Sequence, residues 1–210
     1  MTLERSRRQF LRHTVAVGAG ILVAAHSPRP LAFAAAARSK APEMLTSAEW
    51  VALEAMTAQI IPTDHQPGAL EANCVNFIDK ALANEDAAAL PLYRGGLAAI
   101  DVYCRSQYTA PFVDLTALDQ QAVLSTLEQN TLEGWPLGPS APPAMFFENL
   151  RIHTIVGFLA APTYGGNAGF AGWQVVGYPG PEHHSGGYTS GQVEGVEKIV
   201  PVWERDHGDH

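Results

Sequence analysis

Six of the side chains best suited to chemistry in this 210-residue chain are histidines and aspartates crowded towards the end: His183, His184, Asp206, His207, Asp209 and His210. Imidazole and carboxylate together are metal-binding groups, but neighbouring side chains diverge, so His183 and His184 cannot share one ion without rearranging the backbone. The last four stand in a polar tail with no apolar frame to hold a geometry. They read as solvated tail residues. His153 differs, because it falls within a mostly apolar segment. It is either a satisfied core residue or a hydrogen-bond donor to the glycine-rich segment that follows or to a partner. Cys74 and Cys104 are the only cysteines. Their even number, in a chain that reads as exported, suits a disulfide joining two helices, and two buried free thiols are the alternative.

Nothing resembling an independent catalytic motif accompanies these residues. There is no Gly-x-Gly-x-x-Gly after a strand, no phosphate-binding loop and no Gly-x-Ser-x-Gly elbow. Carboxylates are numerous, but spacing alone singles out no acid–base pair.

The N-terminus has its own purpose. Arg7-Arg8 is followed by Phe10-Leu11-Arg12, an apolar run from Thr14 to Ala25, and Ala-rich sequence to Ala37. A basic head, a short apolar run and small residues make a secretory leader. A helix that spans a bilayer needs about 20 apolar residues, more than this run supplies. The adjacent arginines with Phe-Leu resemble the twin-arginine export signal, so residues 1–37 are expected to be the leader and the rest periplasmic. Residues 1–37 contain five arginines and one glutamate, and their removal takes the formal charge from −8 to −12. Such a body is a poor match for nucleic acid or anionic lipid and a good one for a basic protein surface. Membrane association is expected only through the leader or a partner.

Stepping along the remainder, periodicity predicts a mainly α fold of about five helices over 44–162. Thr46 and Glu49 form a capping box ahead of the first helix, whose apolar face holds Trp50, Leu53, Ala55, Met56, Ile60 and Ile61 and which Pro62 ends. A second helix is expected over 69–83, with Leu70, Cys74, Phe77 and Ile78 on one face, and a third over 86–107. Thr116 caps a fourth, with Leu118, Ala122, Val123 and Leu127 as its buried side. The fifth runs over 143–159, with proline at its first turn.

Residues 163–210 are expected to be a Gly/aromatic-rich extension and tail, with a short strand or helix around 194–203. Ten glycines lie between Tyr164 and Gly195, with Phe170, Trp173, Tyr178 and Tyr188 among them. This stretch lacks the aliphatics for a core of its own, so its aromatics pack on the bundle or on another protein. Tyr164, Gly165, Gly166, Asn167, Trp173 and Tyr178, with His153, are the expected partner interface.

Several runs across about 45–180, in order, resemble the gluconate 2-dehydrogenase subunit 3 family. They are Leu45 to Glu49, Ile60 to Asp64, Phe77-Ile78-Asp79, Tyr93 to Leu97, His153 to Leu159, and Pro162 to Asn167 continuing through Gly172-Trp173 to Gly177-Tyr178-Pro179-Gly180. The family commonly has acidic residues where Val156 and Ala161 stand, Arg and Asp at Ala168 and Gly169, and Lys at Gln174, so some charged contacts differ here. The resemblance implies a small subunit without catalytic groups or cofactor of its own. Its partner would be a large FAD-binding subunit of the glucose–methanol–choline type that oxidises a sugar or sugar acid, with a multihaem cytochrome c as a third subunit in such systems. It also implies that the small subunit's twin-arginine signal escorts the folded flavoprotein outward. The competing expectation is a free-standing periplasmic enzyme or metal-binding protein using His153, Tyr164 and the late histidines.

Overall fold

In a computed structural model the described residues are 42–181 and 187–205. Arg7, Arg8, Phe10 and Leu11, expected to form an export signal, and the tail residues His183, His184, His207 and His210 lie outside them. Seven α-helices and no strand occur among the described residues. Five long ones make the bundle: α1 (Ser47–Ile60), α2 (Cys74–Ala83), α3 (Leu90–Tyr108), α4 (Ala117–Glu128) and α5 (Pro143–Leu159). Two short ones, α6 (Ala171–Val176) and α7 (Ser190–Val193), belong to the extension.

The capping box forms as the sequence predicts, with Glu49 N–H donating to Thr46 Oγ1 and Thr46 N–H to Glu49 Oε2. Trp50, Leu53, Met56 and Thr57 then face inward, and the chain leaves the helix at Ile61, since the residue before proline avoids helical backbone. The second helix starts five residues later than its apolar spacing predicts. Asn73 takes the left-handed conformation at φ 54°, which asparagine tolerates, and this interrupts the helix. Residues 69–73 are therefore turns, and Leu70 points into solvent.

Thr116 caps α4 through Asp119 N–H as expected, but its buried side is rotated from the expected one. Gln120, Val123, Leu124 and Leu127 are buried, while Leu118 and Ala122 are exposed. The rotation follows the hydrogen bonds of Gln120, which donates to the Phe112 carbonyl at 2.9 Å and accepts from Gln59 at 2.8 Å. A buried amide so satisfied costs little, and it turns the helix.

α5 is the central element, packed most extensively on α2 and α4 and also on α1 and α3. Its Phe146 and Leu150 enter a core with Leu53, Met56, Ile78, Tyr93, Ile100 and Leu127. Asp79 of α2 is buried as well, and its carboxylate accepts from the backbone N–H groups of Glu43, Met44 and Leu45 at 2.6–2.9 Å. Those three bonds fasten the described start of the chain to the bundle.

The expected disulfide is absent: Cys74 and Cys104 are free and buried. Cys104 belongs to the main core, whereas Cys74 lies in a second cluster with Ala69, Ala72, Phe158 and Ala171. Their positions in separate apolar clusters keep them unbonded, and burial pushes the Cys74 thiol up to about 12. In the extension, helical turns Ser190–Val193 and Val202–Glu204 flank the stretch expected to be a short strand or helix. No helix among the described residues is long and apolar enough to cross a membrane.

Candidate functional site

The C-terminal end of a helix leaves four carbonyls without intrahelical donors. At the end of α5 the glycine-rich segment supplies donors for Gly157, Leu159 and the capping Ala160. Asn167 is fully buried in the left-handed region at φ 48°, and its backbone N–H donates to Gly157 O at 2.7 Å. Its amide Nδ2 donates to Ala160 O at 2.9 Å, while Oδ1 accepts from Gly172 N–H at 2.8 Å. Trp173 Nε1 donates to Leu159 O at 2.6 Å. Gly166 and Gly172 allow this closure because a Cβ on either would strike the Gly157 or Phe158 carbonyl oxygen. From the other side, Asn76 of α2 donates to Gly165 O at 2.7 Å. The segment is thus a bracket that seals α5 against α2, and its glycines are spent on close backbone approach.

His153 lies one helical turn or so before that bracket. Its Nδ1 is 2.7 Å from the Tyr93 hydroxyl and its Nε2 3.1 Å from Asp86 Oδ2. The imidazole stacks on the Tyr93 ring and meets Phe77 edge-on. A neutral ring protonated on Nε2 satisfies the whole row: Tyr93 donates to Nδ1, and Nε2–H donates to Asp86. Burial, with the Asp86 carboxylate second, pushes the Tyr93 phenol above its ordinary value, so it remains a donor. Tyr93 and His153 are both buried, and both ring nitrogens of His153 are engaged. No lone pair is left for a metal, and no substrate reaches the phenol. Among the described residues no three His, Cys, Asp or Glu side chains gather to hold an ion.

Asp86 is the outer end of this row, with its side chain half exposed. It and Glu85 border an open groove of about 500 Å³, whose apolar wall includes Pro91, Leu92 and Met145 and whose far side includes Asn149. Beyond the groove the outward face of α5 remains apolar: Met145, Ile152, Ile155, Val156 and Leu159 are all exposed.

Of the residues expected to meet a partner, His153, Gly166, Asn167 and Trp173 are inside the chain, holding the fold. Gly165 is half-buried, and Tyr164 and Tyr178 are at the surface. The aromatics of the extension also pack among themselves, with Trp173 between Phe170 and Tyr178. Sequence reasoning missed Asp86, since a carboxylate before a helix reads as a cap, and nothing local marks it as the partner of a histidine 67 residues away. It also missed the outer face of α5, because that helix is apolar on both sides and no single stripe stands out.

The chain matches the family model described as gluconate 2-dehydrogenase subunit 3 over residues 47–180, well over half its length. It belongs to the gluconate 2-dehydrogenase subunit 3 family. The match opens at the first residue of α1 and closes at Gly180, so in this subunit 3 family member the matched stretch takes in the five bundle helices and the bracket that seals α5. Residues 1–46 and 181–210 fall outside the match. Searches among curated proteins and among solved structures return no match.

Proposed function

We propose that this chain is the non-catalytic small subunit of a periplasmic FAD-dependent sugar or sugar-acid dehydrogenase of the glucose–methanol–choline type. It assists maturation, twin-arginine export and stability of the flavin-bearing subunit, whose electrons pass to a multihaem cytochrome c where the complex includes one. The observation that carries this reading is the match over 47–180 to a family described as a dehydrogenase subunit. Three further features support it. Arg7, Arg8, Phe10 and Leu11 stand in the order of an export signal. Two polar groups suited to chemistry are engaged inside the fold, His153 by Tyr93 and Asp86, Asn167 by the end of α5. The groove is bordered by the carboxylates of Glu85 and Asp86, which oppose the diphosphate of FAD, so the flavin is assigned to the partner.

Co-expression with the flavoprotein of the adjacent reading frame tests the proposal. With the intact chain, the flavoprotein is expected to co-purify with it, hold flavin and oxidise its sugar in the periplasmic fraction. Arg7→Lys with Arg8→Lys should leave the complex in the cytoplasm. Unchanged flavin content, export and activity of the flavoprotein when this chain is left out would overturn the reading.

A further inference from the structure

α5 carries apolar side chains on its outward side as well as its inward one, a pattern proper to a helix buried on more than one side, yet among the described residues that outward face stays exposed. Along that face Met145, Asn149, Ile152, Val156 and Leu159 follow at spacings of four, three, four and three. This is the heptad seam of a helix that packs along another helix. It carries the β-branched Ile152 and Val156 between Met145 and Leu159 and includes one asparagine, the type of polar residue that fixes register in such seams. Asn149 donates to the Met145 carbonyl at 2.8 Å and borders the groove, so seam and groove are continuous. At that end stand the carboxylates of Glu85 and Asp86, while Glu148 and Arg151 of α5 are paired with each other at 2.6 Å.

We infer that the outer face of α5 is a docking seam for one amphipathic helix of the flavin-bearing subunit, carrying apolar residues in a three–four repeat and a Lys or Arg at the end that meets Glu85 and Asp86. The inference rests on the function proposed above. A second copy of this chain is a poorer occupant, because the chain without residues 1–37 has a formal charge of −12 and a copy would bring the same carboxylates to the joint. At 17 residues α5 is about 25 Å long, enough for two heptads of contact.

The test uses the full chain co-expressed with the flavoprotein of the adjacent reading frame, with affinity measured on the purified subunits. Ile152→Lys with Val156→Lys changes two exposed positions, so the melting temperature of the isolated chain should hold. Affinity for the flavoprotein should fall roughly 100-fold or more, as expected for losing two apolar side chains from a helix–helix contact. Glu85→Lys should weaken binding less, and its effect should fade at high salt. Val102→Lys, also at an exposed position but on α3, should leave affinity unchanged. If the wild-type chain binds the flavoprotein and the double variant binds equally well, the seam is refuted and the proposed function stands. If the wild-type chain does not bind it, both fall. A symmetric dimer of the isolated chain that the double variant abolishes would overturn the choice of partner.

Discussion

His153 has two ring nitrogens with different neighbours, one a buried phenol and the other a carboxylate at the edge of a groove. A buried hydroxyl left without a partner costs its full desolvation, whereas removing both partners together costs much less. His153→Leu is therefore expected to lower stability by about 2–4 kcal/mol, and Tyr93→Phe alone by about 1–2 kcal/mol. The double variant should be less unstable than the two losses added, by at least ~0.5 kcal/mol in urea unfolding. Strict additivity would show that the pair does not act as a unit. From the sequence, His153 in an apolar segment signals either packing or a partner. Its burial beside Tyr93 decides for packing, and only Asp86 carries the row to the surface.

At the scale of elements, α5 shows how one helix end is finished by residues that follow it in the chain. Gly172 lies where a Cβ would strike the Phe158 carbonyl oxygen, so Gly172→Ala must push α6 away and with it the bonds that Gly172 N–H donates to Asn167 and Trp173 Nε1–H to Leu159. The expected cost is about 2–3 kcal/mol, or roughly 4–12 °C in melting temperature for a chain of this size. Gly169→Ala, with open space around it and only a positive φ to contend with, should cost about 1 kcal/mol. Equal melting temperatures for the two variants would refute the bracket. The limits of α5 were legible in advance, since proline at its start and a proline beyond its end are local signals. The start of α2 and the buried side of α4 were not. A left-handed asparagine sets the first, and the hydrogen bonds of Gln120 to Phe112 and Gln59 set the second. Both depend on what is opposite, and periodicity is blind to that.

For the whole molecule, each of the two apolar clusters holds one free thiol, and burial raises both, Cys74 to about 12 and Cys104 to about 11. A thiol whose pKa is higher folded than unfolded stabilises the fold fully below the unfolded value. That contribution is lost as pH rises from the unfolded value to the folded one. Stability should thus decline from about pH 9 towards pH 12, and Cys74→Ala should shallow the decline in urea unfolding followed against pH. Free thiols should also appear on denaturation in the absence of reductant; a titration that finds none would contradict the unbonded pair. Period, capping chemistry and motif order are local properties of the chain, and they were enough for the mainly helical fold, the five bundle helices, the caps at Thr46 and Thr116 and the family resemblance. Packing, by contrast, set the state of Cys74 and Cys104, the inward placement of His153, Asn167 and Trp173, and the exposed outward face of α5. Each of these turns on which groups distant in sequence come within a few ångströms, and burial, which sets their chemistry, exists only after the chain has closed on itself.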